Sequence, residues 1–128
     1  MAQFTVAVLR DFVAQHFLIG GDWGRENQLH SHHYKLEAIF EGEGLDRHNY
    51  LLDIAVVEEH LTALVERYRD KTLNNLPEFE GQNPSLELFA RVLNDGLRRG
   101  LSPEGLTALS IKLWEHEQAY AIHQHRFR

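Results

Sequence analysis

Apolar positions near the start of the chain recur every second residue. Phe4, Val6 and Val8 alternate with Gln3, Thr5 and Ala7, and Phe12, Ala14 and His16 keep one parity. Period two sets alternate side chains on one face, so this run predicts a strand, with room for a bulge. GGDWGREN is dense in turn formers and reads as a loop. Alternation resumes in LHSHHYKLEAIFEG. His30, His32, Tyr34, Leu36, Ala38 and Phe40 share one face, while His33, Lys35, Glu37 and Glu41 lie largely on the other. The two runs predict antiparallel neighbours joined by a long loop.

The period then lengthens. Asp53 is placed to cap a helix whose apolar residues, Ile54, Val57, Leu61, Leu64, Val65 and Tyr68, follow at helical spacing. DKTLNNLPEFEGQNP reads as a loop. Asn83 is the expected cap of a second helix, with Pro84 at its first position, Leu86, Phe89, Ala90, Leu93 and Leu97 as its stripe, and Gly100 at its end. Thr107, Leu109, Ile111, Leu113 and Glu115 return to one parity and predict a strand, and a last short strand is expected over 119–125. The order β-β-α-α-β-β implies an α+β protein, a four-stranded antiparallel sheet with two helices on one face.

Composition narrows the function classes. A chain of 128 residues fits a single domain, 1–128, around one core. A formal net charge of -6 argues against nucleic acid as the main partner, since no basic face is offered to phosphates. With no cysteine, disulfides, thiolate metal sites and cysteine nucleophiles are excluded. MAQFTVAVLRDF lacks the pattern of a signal peptide, and no apolar run nears the roughly 20 residues of a membrane span. A cytoplasmic enzyme or binding protein, with no membrane partner, is the expectation.

The chain has nine histidines, three of them in ENQLHSHHY. His30 and His32, two apart on a strand, point the same way. His16 lies on the preceding strand, and antiparallel pairing is expected to bring it across from His32. Three neutral imidazoles with an open fourth position suit a catalytic zinc ion; imidazole also suits iron, copper or nickel. Histidines at this spacing also occur simply as surface or satisfied core residues. His33 faces away, and His48, His60, His123 and His125 read as surface or packing residues.

FVAQH, LHSHHY, NYLLDI, TLNNLPEFEGQNPSLELFA and IKLWEHEQAYA, in this order, resemble segments of the 6-pyruvoyl-tetrahydropterin synthase and 6-carboxy-tetrahydropterin synthase family over nearly the whole chain. The resemblance implies zinc held by His16, His30 and His32. It also implies a reduced pterin whose 2-amino-pyrimidinone edge is anchored by Glu115, a carboxylate offering two acceptors to paired N–H donors. Ser85 stands where the family usually has threonine, either as a pterin contact or as a helix cap. The implied fold is the tunnelling fold, in which subunits join their sheets into an oligomeric barrel. A homo-oligomer, trimer or hexamer, follows.

The chain departs from the family pattern at its catalytic cysteine. Glu26 stands there, in ENQLH. Members with this replacement resemble enzymes that cut the side chain of 7,8-dihydroneopterin. Glu26 is therefore the candidate general base for a lyase acting on 7,8-dihydroneopterin or its triphosphate. The family's Asp-His pair is replaced by Arg69 and Asp70, so Asp70 is a candidate acid or base, or simply a helix terminator. His116, next to Glu115, is a further candidate proton carrier. Two alternatives stay open: 6-carboxy-tetrahydropterin synthase activity, which the missing cysteine counts against, and a non-catalytic relative that binds metal and pterin.

Overall fold

A computed structural model describes residues 2–128. Strands β1 (Phe4–His16) and β2 (His30–Gly42) pair antiparallel in an unbroken register, from Phe4 opposite Gly42 to His16 opposite His30. The room left for a bulge in β1 is therefore not used. The register also corrects the expected histidine pairing: Ala14 sits opposite His32, and His16 reaches His32 along the diagonal. Apolar pairs such as Phe12 with Tyr34 and Val8 with Ala38 set this register, because a one-residue slip would turn them out of the core.

Helices α1 (Ile54–Tyr68) and α2 (Leu86–Gly100) follow, and β3 (Ala108–His116) and β4 (Ala119–Arg126) complete the sheet in the order β1-β2-β3-β4, every pair antiparallel. The irregularity lies between Trp114 and His116, where β3 bulges against β4. Asp53 caps α1 as expected, its carboxylate accepting from the Ala55 N–H at 2.9 Å. The cap of α2 is Ser85, not Asn83; Ser85 Oγ accepts from the Leu88 N–H at 3.1 Å, and Pro84 precedes the helix. Asn83 is unavailable because its carboxamide is engaged with the Ile19 backbone. The loop between the helices carries two short 3-10 turns, Leu73–Asn75 and Pro77–Phe79.

Both helices pack on one face of the sheet. Val57, Leu61, Val65 and Tyr68 from α1, and Phe89, Ala90, Leu93 and Leu97 from α2, bury against Phe12, Tyr34, Leu36, Phe40 and Ile111. Tyr34 stacks on Phe12 with ring centroids 5.5 Å apart and meets Phe89 edge-on at 5.1 Å. Burying each such ring contributes on the order of 2–3 kcal/mol. Asn94, fully buried on α2, donates to the Leu109 and His123 carbonyls at 3.0 Å each, which ties the helix to β3 and β4. Among the described residues, no helix is long and apolar enough to cross a membrane.

Candidate metal and substrate site

The parity that packs Phe12 and Tyr34 inward also points His16, His30 and His32 to that side, at the sheet end where the aromatic core stops. Their rings lie within 4.5–4.9 Å of one another, centroid to centroid, and the His32 ring is 5.7 Å from that of Tyr34. His16 Nδ1 is 2.9 Å from the Pro84 carbonyl and His30 Nδ1 is 2.8 Å from the Gln28 carbonyl. A carbonyl only accepts, so each Nδ1 carries the proton and each Nε2 keeps a free lone pair.

Those lone pairs converge. The Nε2 atoms of His16, His30 and His32 are buried and lack a hydrogen-bond partner. Glu26 Oε2 stands 2.6 Å from His30 Nε2, and Glu115 Oε1 stands 3.2 Å from His32 Nε2, but neither contact has hydrogen-bond alignment. Ligand atoms of His16, Glu26, His30 and His32 all lie within 4.8 Å of one another. Buried polar atoms without partners are costly, and imidazole nitrogens with a carboxylate oxygen are a donor set that suits zinc. The group could hold a metal ion. Burial lowers the pKa of His16 and of His32. Both imidazoles are thus biased to the neutral form that a metal requires. Burial raises the Tyr34 phenol well above its ordinary value.

Glu26 is carried by a 3-10 turn, Gly24–Asn27, that runs into β2. Glu115 sits in the β3 bulge, a device that re-aims side chains beside functional sites. A cleft of about 800 Å3 opens mainly on the opposite face of the sheet, and His32 and Glu115 are the members of the histidine site that reach it. Its walls are mainly Leu9, Asp11, Ser31, His33, Lys35 and Trp114, which face away from the imidazoles, and do not include His16, His30 or Glu26. Its size falls within the range of small-molecule sites.

Five of the candidate residues therefore meet: His16, Glu26, His30, His32 and Glu115. Ser85 caps α2 by accepting at Oγ, which leaves its O–H free to donate, and it adjoins Pro84, whose carbonyl orients His16. Asp70 is exposed just past α1 with φ 59°, a left-handed conformation that aspartate tolerates at a helix end. Its backbone N–H donates to the Val13 carbonyl at 2.7 Å, and its carboxylate does not join the histidine group. His116 Nδ1 accepts the Gln118 N–H at 3.2 Å. His33 pairs with Asp11 at 3.0 Å on the opposite face of the sheet. The carbonyls of Pro84 and Gln28 leave no trace in residue type. Asn27, Asn74 and Asn83, which organise the loops around the site, differ from ordinary loop asparagines only by where they land.

A family model described as 6-pyruvoyl tetrahydropterin synthase matches residues 5–126. No curated protein matches the chain in sequence. Among solved structures the chain is similar to 6-pyruvoyl tetrahydropterin synthase from Caenorhabditis elegans, with 18% identity, 98% of this chain and 96% of that one covered, and a TM-score of 0.80. It is similar to the Plasmodium falciparum enzyme, with 14% identity, 99% and 100% covered, and a TM-score of 0.82. A third is the Plasmodium vivax enzyme with a catalytic glutamate replaced by alanine, at 11% identity, 98% and 100% covered, and a TM-score of 0.78. At these identities the likeness is one of fold, the four-stranded sheet and paired helices of the tunnelling fold.

Proposed function

The chain belongs to the 6-pyruvoyl tetrahydropterin synthase family, and from that premise we propose that it is a metal-dependent lyase that cleaves the side chain of 7,8-dihydroneopterin or its triphosphate, with Glu26 as general base. The observation that carries this reading is the 2.6 Å approach of Glu26 Oε2 to His30 Nε2, which sets a carboxylate beside the convergent imidazoles. The catalytic glutamate of the Plasmodium vivax enzyme is a precedent for such a residue.

His16, His30 and His32 would hold zinc through Nε2. Zinc bound there would supply a Lewis acid that lowers the pKa of a side-chain hydroxyl. Glu115, beside His32, accepts the paired N–H donors of the pterin edge. Glu26 removes the proton of the C2′ hydroxyl. The C1′–C2′ bond then breaks, its electron pair passes into the ring system, and C2′ leaves as an aldehyde. A proton returns to C1′ to give 6-hydroxymethyl-7,8-dihydropterin.

Assembly belongs to the same proposal. The sheet ends in two edges, β1 and β4, and open edges call for a partner. Near its C-terminal end β1 is already covered by its own chain, through the Asp70 N–H to the Val13 carbonyl at 2.7 Å and the Gln15 N–H to the Lys71 carbonyl at 2.9 Å. The stretch before Val13 is left to pair with β4 of a second copy. An even strand number makes that closure antiparallel, and a trimer or hexamer of one-domain chains is the assembly proposed to close the barrel.

A second reading is a metal- and pterin-binding protein without turnover. Glu26 favours it in one respect, since its carboxylate could complete a closed four-ligand site. Mass-spectrometric product analysis separates the two. Zinc-loaded protein given 7,8-dihydroneopterin or its triphosphate should yield 6-hydroxymethyl-7,8-dihydropterin. Bound but unchanged pterin would favour the second reading, and a 6-carboxy or 6-pyruvoyl product would replace the proposed reaction.

A further inference from the structure

The three residues after β1 have no neighbouring strand, yet their backbone is bonded on both sides. Phe17 N–H donates to Asn74 Oδ1 at 3.0 Å, and Asn74 Nδ2 returns a bond to the Phe17 carbonyl at 2.9 Å. Two residues on, Ile19 N–H donates to Asn83 Oδ1 at 2.7 Å, and Asn83 Nδ2 donates to the Ile19 carbonyl at 3.2 Å. A carboxamide presents the same donor and acceptor as a peptide group, so each asparagine reads the chain as a paired strand would. These two pairs continue the rail begun by Asp70 and Lys71 on Val13 and Gln15.

Leu18 faces the other way. Its N–H donates to the Glu26 carbonyl at 2.8 Å, and its carbonyl accepts from Asn27 Nδ2 at 3.1 Å. Asn27 also donates to the Gly21 carbonyl at 3.0 Å and accepts the Trp23 N–H at 2.8 Å. Residues 17–19 are thus an extended bar, held on one edge by Asn74 and Asn83 and holding on the other the turn that carries Glu26. Pro84, the neighbour of Asn83, orients His16 through its carbonyl. One loop therefore sets both a histidine and, through the bar, the carboxylate opposite it.

We propose that Asn74 and Asn83 are positioning residues for Glu26, acting through the Phe17–Ile19 backbone without touching substrate or metal. The proposal deepens the reading of Glu26 as base and rests on it. Loosening the bar displaces the carboxylate while His30 and His32 keep their places on β2, and Asn74→Ala loosens it without altering the neighbour of Pro84, whose carbonyl orients His16. A misplacement of about 1 Å in a reacting group can cost on the order of 100-fold in rate.

The test uses the full-length metal-loaded protein and the variants Asn83→Ala and Asn74→Ala; either suffices should the other fail to fold. Amide hydrogen exchange reads the bar without any turnover. The Leu18 amide, bonded to Glu26 and touched by neither asparagine, should exchange at least about tenfold faster in a variant, as expected when a local opening becomes easier. In the same samples kcat should fall by about 10- to 100-fold while KM and zinc content stay at wild-type values. Unchanged exchange at Leu18 would overturn the positioning role. So would a joint rise in KM and loss of zinc, which would mark a general structural role. Unchanged kcat with faster exchange would also overturn it. Failure of the Glu26 reading shows separately, as full turnover in Glu26→Gln with normal exchange at Leu18.

Discussion

Glu26 Oε2 and His30 Nε2 stand 2.6 Å apart across the junction between a 3-10 turn and a strand, without hydrogen-bond alignment. The spacing four residues apart in sequence arises because the turn folds back onto the strand it feeds. Leu18, bonded to the Glu26 carbonyl, holds it there. A carboxylate so placed has room to exchange a proton with a substrate hydroxyl.

Loss of an imidazole should be read in metal content before activity. His16→Ala, His30→Ala and His32→Ala are each expected to weaken zinc binding at least about 100-fold, since even the loss of an outer-shell partner typically costs 10- to 100-fold. Metal analysis after dialysis against a chelator checks this. Stoichiometric zinc in the His32→Ala protein would remove that residue from the ligand set.

Glu115→Gln should separate pterin binding from metal binding. Amide in place of carboxylate loses one of two acceptors and the charge, worth about 1.5–3 kcal/mol for a charge-assisted bond. Pterin affinity, measured by fluorescence titration, should fall by roughly 10- to 100-fold with zinc content unchanged. Unaltered affinity would mean that the pterin edge is anchored elsewhere.

Much of this was legible in residue periodicity. Parity along LHSHHYKLEAIF predicts which histidines face the core side, and the structure has that facing. Parity cannot set register, which is why His16 lies opposite His30 and not His32: the choice was made by Phe12 against Tyr34. Helix caps were legible at Asp53, where the side chain had no rival use. The expected cap fails at Asn83, whose carboxamide is claimed by a backbone 64 residues away in sequence. The β3 bulge that re-aims Glu115 has no signal in WEHEQ.

Stability at acid pH should show the link between α1 and the loop ahead of α2. Arg67 donates twice to Glu78, at 2.8 Å each, and the Tyr68 hydroxyl donates at 2.7 Å. The Arg67 hydrogen bond, above all, holds the Glu78 carboxyl at about 2 against an ordinary 4.5, with Tyr68 helping and burial opposing. A depressed carboxylate stabilises the fold fully above its unfolded value and loses that contribution as pH falls through its folded one. Arg67 is half exposed, so solvent screening leaves about 1–2 kcal/mol. Glu78→Gln should therefore lower stability by that amount at pH 7, and the gap should close between pH 4.5 and 2 in denaturant titrations. A gap independent of pH would assign the effect to packing instead.

The most direct measurement is the turnover of Glu26→Gln on 7,8-dihydroneopterin, with zinc content and pterin affinity determined on the same sample. A general base contributes about 10²- to 10⁴-fold, so kcat should fall by at least about 100-fold with metal and pterin still bound. Turnover within about twofold of the wild-type protein would show that Glu26 is not the base.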